Sequence, residues 1–182
     1  MPVGSRAAAR LYARTRSVTI DLRERVVVST DTLTEAADAF ITASRALVGM
    51  AIRSIDSAAG DVTIAQHRVL VVLAARGPQT VGDIAAELAV NPSNGTRHCE
   101  RQYSLGLVNK QRSRTDGRIV EVSLTRAGMQ LLEAVTEQRR REVTTVLEQL
   151  DREVVDAAIE ALGRFNRAAR EVEDQDWVAT PW

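Results

Sequence analysis

The sequence predicts a mainly α-helical chain that carries one small β-hairpin. Apolar residues recur at three- and four-residue steps in several separate stretches, the period of one helix face. Capping residues, glycines and prolines punctuate those stretches where helices start and stop. Between Leu107 and Leu124 the pattern changes to two short extended runs around Asp116-Gly117, a hairpin-turn dipeptide. Apolar residues make up 45% of the 182 residues but aromatics only 3%, so the core has to be built from Ala, Val, Leu and Ile.

Residues 1–31 read as a flexible or loosely docked arm: Arg10–Arg14 suits a helix, while Val18–Ile20 and Val26–Val28 suit extended chain. From Thr32 to about Asp56 the stripe Leu33, Ala36, Ala37, Phe40, Ile41, Leu47, Val48, Ile52 and Ile55 predicts a long helix, broken at Gly60-Asp61. Thr63 caps a helix with the stripe Ile64, Val69, Leu70, Val72 and Leu73, which Gly77-Pro78 ends. Thr80 stands three residues before Asp83, close to a capping box, and opens a short helix from Val81 to Leu88. Asn91-Pro92 is a cap followed by proline at the first helical position, and that helix runs to about Leu105, with Gly106 as its stop. Strands follow at Leu107–Arg112 and Ile119–Leu124. Thr125 caps a helix carrying Leu131, Leu132, Val135, Val143, Val146, Leu147 and Leu150. Asp151 starts a last helix with Val154, Val155, Ile159, Leu162 and Phe165, and the tail from Asp174 is irregular.

Two short adjacent helices followed by a basic hairpin make a winged helix-turn-helix, whose second helix lies in a DNA major groove. The helices outside it carry more apolar surface than so small a domain can cover, and a second copy of the chain is the simplest cover. The expected organisation is an arm at 1–31, a dimerisation helix at 32–60, a winged helix-turn-helix at 61–126, and C-terminal dimerisation helices with a tail at 127–182.

Charge supports a polyanion as partner. The net charge is zero, with 24 basic and 24 acidic residues, yet residues 1–30 and 91–126 each carry +4 while 31–90 and 127–182 carry −3 and −5. Segregation of this kind marks a local basic surface. One cysteine, Cys99, excludes an internal disulfide. No run reaches the length of a membrane span, and no apolar block follows Arg6, Arg10 and Arg14 as in a secretory signal, so the reading is cytoplasmic with no membrane partner. There is no Gly-rich phosphate loop, nucleophile motif or paired-acid site, so no enzyme is expected. His67, His98 and Cys99 lack a metal-ligand spacing, and no metal or cofactor is expected.

The candidate contacts are to double-stranded DNA. In the helix PSNGTRHCERQYS, Ser93, Asn94, Thr96, Arg97 and Arg101 offer the groups that suit bases and phosphates: Asn for adenine, Arg for guanine, Ser and Thr for either. On the hairpin, Arg114 and Arg118 lie nearest the tip and suit a narrow minor groove. Lys110, Arg112 and Arg126 suit phosphates. Asp116, an acid in a cationic loop, orients the wing rather than touching DNA. Cys99 beside His98 is a candidate oxidant sensor only if exposed; otherwise it is a small buried hydrophobe.

The stretch from Val62 to Leu132 resembles the multiple antibiotic resistance regulator (MarR) family of winged-helix transcription factors. The matching text is VTIAQHRVLVVLAARGPQTVGDIAAELAVNPS, R-x-x-E-R in the recognition helix, LGLV, the DGR wing and VSLTRAG. The resemblance implies a homodimer with a base formed by the first and last helices, a pseudo-palindromic operator, repression, and release by a small aromatic or phenolic effector or by Cys oxidation. It also places His67 at the family's Q-H pair, as a structural residue or in the cleft between dimer base and winged domain. Gly95, His98 and Gln102 depart from it, since the family has apolar residues there. Two explanations stand beside each other: drift with His98 half exposed, or a recognition helix loosened until DNA orders it. The second favours an alternative in which a helical dimer acts through protein contacts, or through oxidant sensing at Cys99, with weak or vestigial DNA binding.

Overall fold

The computed structural model describes residues 29–113, 119–174 and Trp177. The elements run α1 (Thr30–Ala59), α2 (Ile64–Arg76), β1 (Gln79–Thr80), α3 (Val81–Glu87), α4 (Pro92–Ser104), β2 (Val108–Arg112), β3 (Val120–Leu124), α5 (Arg126–Leu147) and α6 (Arg152–Ala169). The chain divides into two units after Phe40. Residues 29–40 hold the first turns of α1, which starts two residues before the expected Thr32 because Ser29 caps it: its hydroxyl oxygen accepts from the Thr32 amide at 3.2 Å. The remaining elements lie in residues 41–182.

Local capping chemistry sets four helix starts where the sequence predicts them. Thr63 and Gln66 form a reciprocal capping box, as do Thr80 and Asp83. The Asn91 side chain accepts from the Asn94 amide at 2.9 Å, with Pro92 in the first turn. Thr125 Oγ1 accepts from the Gly128 amide at 3.1 Å. Each such cap contributes about 1 kcal/mol. Asp151 sits at the start of α6 but makes no side-chain cap bond.

The sheet has the order β1-β3-β2 and is antiparallel throughout. Its hairpin register pairs Val108 with Leu124, Lys110 with Val122 and Arg112 with Val120. Beyond the last rung the Ser113 amide donates to the Ile119 carbonyl at 2.8 Å, so the pairing of the two strands continues through these residues. Leu107 and Ile119 fall outside the strands expected to include them. β1 was not expected: two residues carry no readable period, and they are extended because they pair with Val122 and Glu121 of β3.

The core joins α2, the helix-turn-helix, the sheet and the first half of α5. Val69, Leu70 and Leu73 share one cluster with Ile84, Cys99, Val108, Val122, Leu124, Leu132 and Val135, and Ile55 and Val62 belong to it. Burying each such side chain stabilises the fold by roughly 1.5–3 kcal/mol. Two glycines let the pieces approach. A Cβ on Gly128 would stand 2.2 Å from the Leu107 carbonyl oxygen. That oxygen also accepts from the Thr125 amide, and the Thr125 hydroxyl donates to the Gly106 carbonyl at 2.7 Å. The LGLV and SLTRAG motifs are thus two halves of one joint. A Cβ on Gly95 would stand 2.7 Å from the Ala85 Cβ. Gly95 is thus the point at which α4 seats against α3, which weighs against the reading of a recognition helix loosened there.

Candidate nucleic-acid interface

The turn between α3 and α4 is tight. Ala89 takes a left-handed φ of 52°, and the Val90 amide donates to the Ala85 carbonyl at 3.0 Å. α4 then lies with Gly95, Cys99 and Gln102 buried on one side. Ser93, Thr96, Arg97 and Arg101 are exposed on the other, and Asn94 is half-buried. The first turns of α4 are pre-shaped by their own bonds. The Thr96 hydroxyl donates to the Pro92 carbonyl at 2.9 Å, and an Arg97 guanidinium nitrogen donates to Asn94 Oδ1 at 2.5 Å. The Arg97–Asn94 pair presents a fork of donors with part of its rotamer freedom already spent, which suits a base edge.

The hairpin cations separate into three groups. Arg112 and Arg126 are exposed. The Lys110 ammonium pairs with the Glu100 carboxylate of α4 and sits 5.1 Å from the centre of the Tyr103 ring. That contact ties the hairpin to the recognition helix. Arg114, Asp116 and Arg118 lie outside the described residues.

Cys99 is fully buried. Burial pushes its thiol upward; Lys110 opposes this and Glu100 adds to it. A protonated, enclosed thiol lacks the thiolate character and access that oxidant sensing requires. His98 is half-buried and outside the core. Gln102 is wholly buried, and its Nε2 donates to the Gln66 carbonyl of α2 at 2.7 Å, whereas its Oε1 has no hydrogen-bond partner among the described residues. The polar residue at an apolar position is thus half satisfied, and it links α4 to α2.

Next to that link lies a cleft of about 580 Å³ between α2 and α5, lined among others by His67, Arg68, Val71, Arg139, Val143 and Trp177. His67 Nε2, Arg139 Nε and Trp177 Nε1 are each buried with no hydrogen-bond partner among the described residues. Buried polar atoms are nearly always paired, so three orphans on one cleft mark a place where a polar ligand or water fits. Burial lowers the His67 pKa from 6.5 to about 4, and the charges on Arg139 and Arg68 push the same way. The imidazole is therefore neutral at neutral pH.

That shift has a measurable sign. Between pH 6.5 and 4 the unfolded chain holds a proton on His67 that the folded chain refuses. Stability is full above pH 6.5 and falls towards pH 4, by up to roughly 3 kcal/mol from this group. Denaturant titrations at pH 7.5 and 4.5 should show a smaller acid loss for His67→Gln than for the native chain. Equal losses would mean that His67 protonates freely when folded.

Among the described residues no cluster of three or more His, Cys, Asp or Glu can hold a metal, and no helix is long and apolar enough to cross a membrane.

A model of the MarR family matches residues 60–119. The uncharacterized HTH-type transcriptional regulator YfiV of Bacillus subtilis (strain 168) is 31% identical over 108 residues, covering 59% of this chain and 68% of that protein. The crystal structure of RV1404 from Mycobacterium tuberculosis is 33% identical with a TM-score of 0.72, over 80% of this chain and 97% of that one. A mutant of MepR from S. aureus, solved bound to an oligodeoxyribonucleotide, shares the fold at 20% identity with a TM-score of 0.54, over 74% of this chain and 97% of its own.

Proposed function

The chain belongs to the MarR family of transcriptional regulators, and on that premise we propose that it is a homodimeric repressor. In this reading α4 and the wing of each protomer grip one half of a pseudo-palindromic operator, and a small aromatic or phenolic effector in the α2–α5 cleft releases it. The observation that carries the reading is the two-sided character of α4. Its inner side is fastened to the core, and its outer side offers Ser93, Thr96 and the Arg97–Asn94 pair where a major groove would lie. Arg112, Arg126 and, from their place in the sequence, Arg114 and Arg118 complete the contact set, with Arg101 further along α4. The solved complex of a MepR mutant of the same fold with an oligodeoxyribonucleotide supports DNA as the partner.

The dimer is supported by what α6 leaves uncovered. It has no buried residue, and Val154, Ile159 and Leu162 are all at least 45% exposed. Ile41, Leu47, Val48 and Ile52 of α1 are exposed likewise. Apolar surface on this scale asks for a partner, and a second copy is the partner always present. The cleft is supported as the effector site by its orphan donors and arginines, which suit an acid or phenol, and by its position. His67 and Arg68 follow Gln66, the residue that holds Gln102 of α4.

Fluorescence anisotropy with the DNA upstream of the chain's own gene, beside a scrambled duplex and over a series of salt concentrations, tests the reading. Tighter binding to the upstream DNA, a steep salt slope and two chains or a multiple of two per duplex are expected. Arg97→Ala should weaken operator binding by about 10- to 100-fold, the effect of losing one good base contact of about 1–3 kcal/mol, and leave scrambled DNA nearly unaffected. Equal losses on both duplexes would remove Arg97 from base reading.

A further inference from the structure

We propose that the segment following α6 is a built-in competitor for the α2–α5 cleft, with the Glu171 carboxylate occupying on Arg68 the place that an effector's acid group takes. The inference rests on the reading of that cleft as the effector site.

The chain turns back at the end of α6. Arg170 adopts a left-handed φ of 59°, and the Glu171 amide donates to the Asn166 carbonyl at 3.0 Å, which fixes the exit direction. From there Glu171 accepts two hydrogen bonds from the Arg68 guanidinium, at 2.6 and 2.8 Å, a two-pronged clamp across 103 positions of sequence. Asp174 and Trp177 lie on the same cleft, and Trp177 also packs against the core. The tail thus brings an acid and an aromatic ring to a cleft whose walls are cationic and apolar, the same two features that an aromatic acid would bring.

The clamp is suited to displacement. The two side chains are 39% and 43% exposed, so water and salt screen their attraction. Arg68 would not be stranded during an exchange, because a Glu87 carboxylate oxygen lies 3.7 Å from one of its guanidinium nitrogens. Arg68 holds the Glu171 carboxyl below its ordinary pKa, so the competitor is charged throughout the neutral range. A ligand that brings its own carboxylate replaces one clamp by another and adds burial of its ring, whereas a neutral amide offers Arg68 one uncharged acceptor and no two-pronged clamp.

The test uses the full chain and benzoate as probe, with benzamide as the neutral control, in ligand-observed NMR titrations. Glu171→Gln keeps the shape of the side chain and removes its charge. It should tighten benzoate binding about fivefold by freeing the fraction of clefts that the tail holds closed. Arg68→Gln should abolish the preference for benzoate over benzamide. Unchanged or weaker benzoate binding by Glu171→Gln, with the native chain still binding, would overturn the competitor while leaving the cleft as the effector site. Absence of benzoate binding by both the native chain and Glu171→Gln would bring down the acid-binding cleft and the competitor together. Matching thermal unfolding curves for the native chain and Glu171→Gln keep a folding defect from standing in for either result.

Discussion

Gly128→Ala is expected to destabilise the protein by on the order of 3 kcal/mol, at the upper end of what overpacking produces. The added methyl group would meet the Leu107 carbonyl oxygen at 2.2 Å and a Leu124 methyl at 3.0 Å. The first is backbone and already accepts from the Thr125 amide. It cannot swing aside as a flexible side chain would, so α5 has to move away from the strand entry. For a chain of this length the loss corresponds to a fall of roughly 10 °C in Tm. Gly82→Ala is the matched control: it lies on the exposed side of α3, and its nearest neighbour would be the Thr80 hydroxyl at 3.7 Å. It should leave Tm unchanged or raise it slightly, since alanine is the better helix former. A Gly128→Ala protein as stable as the Gly82→Ala one would show that the joint between LGLV and SLTRAG has slack.

Gly95→Ala should strike both stability and DNA binding. Its methyl would stand 2.7 Å from the Ala85 Cβ and 3.3 Å from the Ala85 Cα, so α4 must lift off α3. The expected loss is about 2 kcal/mol in stability. Operator affinity should fall by at least tenfold, because a displaced α4 no longer brings Arg97 and the wing to DNA together. Adding Ala85→Gly removes the opposing methyl. The double variant should recover most of the DNA affinity, although the new glycine costs about 1 kcal/mol of helix stability. That recovery is what distinguishes a packing contact from a general dislike of alanine at position 95. Independent, additive losses in the double-mutant cycle would disprove the contact. The same result bears on the alternative of a loosened recognition helix, because Gly95 was one of only three residues behind it.

The helix order, the four helix starts at Thr63, Thr80, Asn91 and Thr125, and the hairpin at 108–124 were all legible in the linear sequence, and the reason is locality. A capping residue reaches an amide three positions on, and an apolar stripe repeats within a few residues, so neighbours in sequence carry the whole signal. The apolar surfaces of α1 and α6 followed from the same periodicity, whereas the candidate residues of α4 were read from their chemistry. Other features needed partners far away in the chain. β1 is a strand only because β3 lies beside it, and Gly95 looks like a weak point until Ala85 stands opposite. The pairing of Lys110 with Glu100 and Tyr103 joins residues of two elements, and the choice between an exposed and a buried Cys99 is made only when the core closes over it. The cleft, with its three orphan nitrogens and the Glu171 clamp on Arg68, is assembled from α2, α5 and the segment after α6, and no spacing within any one of them announces it. What the sequence determined by itself is what short-range hydrogen bonding and helix period decide. Which polar groups are satisfied, which are stranded and which glycines are indispensable was decided by the tertiary structure, because those properties depend on distances between residues that the chain order does not encode.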